Sequence, residues 1–377
     1  MKLTDLDLDV LNSIYATLAC KQDVISLILT CHSLKAAAYP YLIENVVLSN
    51  TAQLQAMLDA LKARPDISRH IRALTIAEDD GWDSHRESPG FDAPEYGTLC
   101  ADVLHHTMHL TELNISGAES IFQLPATEGA LRQMYRLASL FIQPTLNIVT
   151  NVLRAVHGPL RSLEIACTFM NDLSYGLMGC LIQFRGTLEE MKLRHISVGL
   201  REPPIEDAVW PKLRTLSLVF CPICTEELER MFPALQELSV MGYPAAIYAR
   251  NVSVLHSENV KHICQKWKSL KQLTGNIHGL HELFIAGPEI DWMCLHRLTF
   301  DSIPEVSDDI FKDVLLRAQP THLELHTSPD ALFATMFAQP LFRLQRFTLE
   351  INVFQGVPPV TQAVSYTHLT LPTILRV

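Results

Sequence analysis

With 377 residues, 48% of them hydrophobic, the chain holds enough apolar material for one elongated array or for two or three globular domains. A net charge of -11 without any cluster of Lys and Arg argues against a protein that neutralises nucleic-acid phosphates. The longest apolar runs, such as Val24 to Leu29, fall far short of the ~20 residues that span a bilayer, and the first residues do not read as a signal peptide.

In chain order, Leu8, Leu11, Ile14, Tyr15 and Leu18 recur at helical spacing. Val24, Leu27, Ile28 and Cys31 do the same after the polar break at Lys21 to Asp23, and Ser33 to Leu42 predicts a third helix interrupted near Pro40. A bundle this small has a marginal core and should lean on a neighbouring domain or a partner. Leu54, Met57, Leu58 and Leu61 then stripe a helix ended by Pro65, and Ile71, Leu74 and Ile76 predict a strand. Glu78 to Thr98 follows with charges, Gly, Pro and the aromatics Trp82, Phe91 and Tyr96, without apolar periodicity, and reads as a long loop.

The stretch from Pro211 to Val240 shows one whole repeating unit. Leu213, Leu216 and Leu218 form LxxLxL, so that Leu216 and Leu218 point to one face of a short strand, and Cys221 follows three residues later. The order L-x-x-L-x-L-x-x-C is that of a leucine-rich repeat, whose strand turns sharply and tucks a small residue inside the coil. Thr225 is a plausible N-cap for a helix striped by Leu228, Met231 and Phe232 and stopped by Pro233. Leu235, Leu238 and Val240 restart the pattern.

The second apolar positions of such triplets are Leu74, Leu113, Leu140, Leu163, Met191, Leu216, Leu238, Leu273, Leu298, Leu323 and Phe347. Successive subtraction gives 39, 27, 23, 28, 25, 22, 35, 25, 25 and 24. All but the 39 and the 35 lie within the roughly 20 to 29 residues of this repeat class. Insertions are expected only at Glu78 to Thr98 and at Met241 to Trp267, the latter with a helix from Ser257 to Trp267. Leu280, Leu283 and Ile285 form a further triplet, assigned to the Leu273 unit because it is too close to its neighbours. Helical patterns recur between strands at Thr145 to Val156, Ser174 to Phe184, Thr225 to Phe232, Ser307 to Leu316 and Asp330 to Ala338. A unit of roughly 25 residues cannot bury its apolar face alone, so the expectation is a curved α/β solenoid, a parallel sheet with outer helices. The tail Val364 to Thr373 breaks the pattern and resembles one reading frame of a transposase sequencing adapter. If so, the natural C-terminus is not in this chain, and the tail is set aside from the fold.

Nine cysteines, at 20, 31, 100, 167, 180, 221, 224, 264 and 294, are an odd number scattered among apolar neighbours, as expected of reduced thiols in the cytosol or nucleus. The sequons at Asn114 and Asn251 would then stay unmodified. Cys221-Pro222-Ile223-Cys224 is a CxxC, but no second pair follows to complete a zinc site, and Cys221 already has a place inside the repeat. His105, His106 and His109 precede a strand, and His105 and His109 would share a helix face, yet no third ligand is evident. No phosphate loop, nucleophile elbow or HExxH is found, so no catalytic, cofactor-binding or metal-binding residue is expected.

The stretch Leu3 to Leu48 resembles an F-box, the adaptor-binding motif of substrate receptors in cullin-RING ubiquitin ligases. The resemblance is carried by Leu6-Asp7-Leu8-Asp9-Val10-Leu11, Ile14, Leu18, Asp23, Leu27 to Leu34, and Tyr39-Pro40-Tyr41-Leu42. The helix, Arg-Pro break and first strand after it are similar to the junction of F-box proteins that carry leucine-rich repeats. One residue departs from the family: Leu-Pro is usual where this chain has Leu6-Asp7, and Asp7 favours a helix start only electrostatically. The resemblance implies a non-catalytic subunit that binds a Skp-type adaptor, and through it a cullin, by Leu6, Leu8, Val10, Leu11, Ile14, Leu18 and Leu27. It also implies a protein substrate held by the repeats, while the charge, apolar-run, motif and cysteine readings above give the expectation of no nucleic acid, no membrane, no cofactor and a cytoplasmic or nuclear location. The expected division is an F-box-like domain at 1–49, a connecting helix and junction at 50–70, the solenoid at 71–360 and the tail at 361–377. The alternative is a repeat scaffold with no ubiquitin role, its first helices capping the apolar end of the array.

Overall fold

A computed structural model of the chain describes residues 8–17, 21–30, 32–77, 94–116, 119–122, 124–143, 146–167, 177–196, 208–221, 225–242, 267, 269–283, 290–296, 308–327 and 343–351. The chain divides into two units, Met1–Thr168 and Phe169–Val377, each a leucine-rich-repeat-type α/β solenoid in its own right.

The first unit opens with a helical head: α1 Leu8–Thr17, α2 Lys21–Thr30 and α3 His32–Ile43. Leu11, Tyr15, Val24, Leu34 and Ala38 are its buried core, with Leu27, Ile28, Tyr41 and Leu42 packed against it. The hydroxyl of Tyr15 donates to the carbonyl of Leu34 at 3.2 Å, so the one polar atom that the ring carries inward is satisfied. Helix α3 runs through Pro40 instead of breaking there. Proline costs one helical hydrogen bond, and here it falls in the last turn, where Ala38, Tyr41 and Leu42 on the same helix hold the core together.

The sheet begins earlier than the sequence predicts, at β1 Asn45–Leu48, inside the stretch assigned to the helical domain. The unit continues with α4 Thr51–Ala63, a 3-10 turn at Pro65–His70, β2 Ala73–Ala77, α5 Pro94–His106, β3 Glu112–Ser116, α6 Glu119–Phe122, α7 Pro125–Arg132, β4 Ser139–Gln143, α8 Leu146–Ala155 and β5 Ser162–Ala166. The strands pair in parallel and in sequence order. Val46, Leu74, Leu113, Leu140 and Leu163 form one cross-strand row, and Leu48, Ile76, Ile115, Ile142 and Ile165 the next. The helices stack alongside, α4 on α5, α5 on α7 and α7 on α8. The long loop expected from Glu78 to Thr98 is shorter at its end: α5 starts at Pro94, and Tyr96 is buried at 1% exposure, a core residue hidden by an otherwise polar context. Trp82 and Phe91 lie outside the described residues. Desolvation pushes the buried Cys100 thiol up to about 12 and that of Cys167 up to about 11, so both stay protonated and poorly nucleophilic at neutral pH.

The second unit comprises α9 Leu177–Leu181, a 3-10 turn at Ile182–Phe184, β6 Glu190–Arg194, β7 Thr215–Val219, α10 Thr225–Met231, β8 Glu237–Met241, β9 Gln272–Asn276, α11 Ile277–Glu282, β10 Trp292–His296, α12 Asp308–Ala318, β11 His322–Thr327 and β12 Arg346–Ile351. Again all strands are parallel and in order. One row reads Met191, Leu216, Leu238, Leu273, Met293, Leu323 and Phe347. Leu298 is therefore not the rung that even spacing assigns it: Met293 takes that place, beside Leu273 and Leu323. Met293 and Leu295 stand two apart and both turn into the core at 0% and 2% exposure, which fixes the register of β10. Leu298 itself, the helix predicted at Asp330 to Ala338, most of that at Ser257 to Trp267, and the tail lie outside the described residues.

The sharp turn of the repeat is visible where β6 and β7 end. His195 and Phe220 take positive φ values of 57° and 55°, and the next residues, Ile196 and Cys221, turn into the core. The thiol of Cys221 points back to the carbonyl of Leu193 on the previous rung at 3.3 Å. Two large indoles fill the helical side, each with its N–H satisfied: Trp210 donates to the carbonyl of Leu181 and Trp267 to that of Phe232.

Asn276 ties adjacent coils together. Its Oδ1 accepts from the backbone N–H groups of Gly242 and Gly279, both at 2.9 Å, and its Nδ2 donates to the carbonyl of Gly242 at 2.6 Å. One buried side chain thus caps α11 and satisfies both polar groups of Gly242. Asn276→Ala leaves those groups unpaired, and the expected loss is roughly 2–4 kcal/mol of stability. Urea unfolding followed by tryptophan fluorescence measures it; a loss below roughly 1 kcal/mol would contradict this role.

Candidate functional site

The residues singled out in the head do not share one exposed face. Leu6 and Leu18 lie outside the described residues, and Leu8 opens α1 with its side chain not described. Val10 is 45% exposed, whereas Leu11 is buried in the head's own core. Ile14 is half-buried, and Leu27 is half-buried against that core. The structure adds two residues that periodicity passed over. Ile25 at 37% and Leu29 at 80% exposure stand one turn apart on α2, turned away from the buried Val24. The signal was in the run Val24-Ile25-Ser26-Leu27-Ile28-Leu29, which is apolar on more than one face of a helix and so has more greasy surface than one core uses.

Helix α3 links this head to the array. It packs against β1 and the 3-10 turn Pro65–His70, and the Arg64 guanidinium lies 5.0 Å from the centroid of the Tyr39 ring. Helices α1 and α2 both pack on α3.

The other candidate surface is the sheet face turned away from the leucine rows. In the second unit its middle row reads Lys192, Ser217, Ser239, Thr274, Cys294, Glu324 and Thr348. Ser217, Ser239 and Thr274, all half-buried, put small hydroxyl side chains through the centre of this row. At Cys294 the character changes. Cys294 lies opposite Glu324, and His296, two residues on, lies opposite His326. The Cys294 Sγ is 3.5 Å from His296 Nε2, His326 Nε2 is 2.8 Å from Glu324 Oε1, and the two imidazoles stack with centroids 4.7 Å apart. Sequence spacing hid this group because its halves are 30 residues apart and the expected rung at Leu298 was displaced from the real one.

Of the two groups weighed from the sequence, the histidines do not gather into a ligand set among the described residues. Helix α5 ends at His106, so His109 lies beyond it and shares no helix face with His105; the rings of His105 and His106 meet edge to face at 5.9 Å. Cys221 is occupied inside the coil, and Cys224 lies outside the described residues. Cys100, Cys167, Cys180, Cys221 and Cys294 are buried thiols outside any disulfide. Burial and the neighbouring Arg194 both hold the His195 imidazole below its ordinary pKa.

No protein-family profile matches the chain, and no curated protein does. Among solved structures 33 chains are similar. One belongs to the crystal structure of the yeast Rad7–Elc1 complex, at 11% sequence identity and a TM-score of 0.38, covering 85% of this chain and 88% of that one. A likeness at that score decides nothing about chemistry or partners.

Among the described residues, two hollows lie beside the helices. One, between α6, α7 and α8, is lined by Phe122, Leu131, Val152 and other apolar groups together with Glu128. In another, Asp313 accepts from Arg317 Nε at 2.8 Å and stands 3.7 Å from His281, which ties α11 to α12. Among the described residues no helix is long and apolar enough to cross a membrane.

Proposed function

We propose that the chain is a non-catalytic substrate-recognition subunit of an SCF-type ubiquitin ligase, acting in the cytoplasm or nucleus. The head binds a Skp-type adaptor, and through it a cullin, while the strand-lined face of the array holds a protein substrate. The observation that carries this reading is a three-helix head with its own core filled by Leu11, Tyr15, Val24, Leu34 and Ala38, yet with Val10, Ile25 and Leu29 left exposed. Exposed large apolar groups on so small a bundle favour a partner over solvent. The F-box resemblance of Leu6 to Leu42 supplies the kind of partner. The contribution to rate is proximity: the target lysine is kept near a charged conjugating enzyme supplied by other subunits.

Co-purification with a Skp-type adaptor tests the proposal. The full chain is expected to retain the adaptor, and Leu29→Asp to weaken retention at least about tenfold, since one buried interface anchor is commonly worth 1.4 kcal/mol or more. Because Leu29 is so exposed, helicity and unfolding midpoint should stay as in the parent chain. Failure of the unaltered chain to retain the adaptor would sink the reading. A second reading, a capping bundle with no ubiquitin role, draws support from the packing of α3 on the Pro65–His70 turn; it requires that the adaptor is not retained.

A further inference from the structure

The group formed by Cys294, His296, Glu324 and His326 lies on the strand-lined face, and holding a protein substrate there makes no use of its chemistry. Parallel register places all four on the face of β10 and β11 opposite Leu295 and Leu325, with Cys294 buried at 4% exposure and His296, Glu324 and His326 half-buried. One ligand atom from each of Cys294, His296 and His326 lies within 4.8 Å of the others. A thiolate at roughly 2.3 Å and an imidazole nitrogen at roughly 2.05 Å from a single tetrahedral zinc ion are roughly 3.6 Å apart. Cys294 Sγ and His296 Nε2 stand at 3.5 Å, already that spacing. A side-chain rotation that brings a ring nitrogen of His326 to the same spacing completes a face of the tetrahedron.

We propose that Cys294, His296 and His326 bind one Zn²⁺ through a thiolate and two imidazole nitrogens, with Glu324 as the carboxylate that orients His326. The hydrogen bond between His326 Nε2 and Glu324 Oε1 at 2.8 Å orients the ring, and the metal would take Nδ1. A Cys-His-His set selects zinc over Mg²⁺ and Ca²⁺, which take oxygen ligands. The fourth position is left to water or to a donor from a bound partner, as in zinc sites with three protein ligands. Binding expels the Cys294 proton, so affinity rises with pH while the thiol is still protonated. The site is independent of the ubiquitin reading and stands or falls separately.

The test uses the full chain without a polyhistidine tag, stripped with chelator and titrated with Co²⁺, then with Zn²⁺ in competition. One equivalent of Co²⁺ per chain should bind, with a sulfur-to-cobalt charge-transfer band that Zn²⁺ bleaches. Cys294→Ser should remove the band, His326→Gln should weaken binding at least about a hundredfold, and Glu324→Gln should weaken it about 10- to 100-fold without abolishing it. Far-UV circular dichroism shows whether each variant is folded; if Cys294→Ser is not, the half-buried His296→Gln and His326→Gln carry the test. A parent chain without the thiolate band, or a band that persists in folded Cys294→Ser, overturns the site.

Discussion

Gly275→Leu is expected to destabilise the second unit by about 3 kcal/mol or more, although it moves the sequence toward the repeat consensus. Across β6 to β12 the row that contains Gly275 reads Leu193, Leu218, Val240, Gly275, Leu295, Leu325 and Leu349. On pattern alone a leucine there repairs a gap. In the fold there is no gap: a Cβ at Gly275 would overlap the backbone carbonyl of Val240 and sit 3.0 Å from two side-chain carbons of Leu280. Leu280, from α11, already fills the space that the missing side chain leaves. The carbonyl belongs to the neighbouring strand and moves only if the ladder does, so the strain has nowhere cheap to go. Urea unfolding followed by the fluorescence of Trp210, Trp267 and Trp292 should show an early transition or none. Gly179→Ala is the control in the same unit: nothing lies within 4 Å of its added Cβ, and a gain of up to about 1 kcal/mol in α9 is expected. A Gly275→Leu protein as stable as its parent would mean that α11 does not pack as described.

Leu11→Lys should unfold the head itself. Leu11 is 7% exposed among Tyr15, Val24, Leu34 and Ala38, and an ammonium there loses the apolar contact and gains no partner. Truncation of a buried leucine alone costs about 2–5 kcal/mol, and burying an unpaired charge adds to it, which exceeds what so small a core supplies. The measurable result is a loss of helical circular dichroism confined to the head, with the array's tryptophan transition unchanged. This result bears on the adaptor experiment. Loss of adaptor in Leu11→Lys would report a melted head, whereas the same loss in Leu29→Asp, with helicity intact, reports a lost contact.

How local a signal is decides whether the sequence carries it. The strand rows at Leu74, Leu113, Leu140 and Leu163 were legible because two apolar residues two apart turn to one face whatever surrounds them. The rung near residue 295 was misplaced because Leu298 and Met293 both satisfy a loose apolar pattern, and only pairing with Leu273 and Leu323 separates them. Tyr96 was read as part of a loop for the opposite reason, its polar and glycine neighbours giving no hint that a helix begins at Pro94. In the head, helical spacing picked out Leu11 and Leu27 as apolar without saying which apolar side chains the bundle consumes.

The sequence by itself determined the repeat class, the strand-turn-helix unit and the small helical bundle in front of it. These follow from propensity and periodicity, which act over a few residues and need no partner. Only the tertiary structure decided that Val10, Ile25 and Leu29 are left over, that Gly275 must stay small, and that Cys294 and His296 meet His326. Each depends on which segments become neighbours across tens of residues, and that is set by competition for one buried core rather than by any residue's own preference.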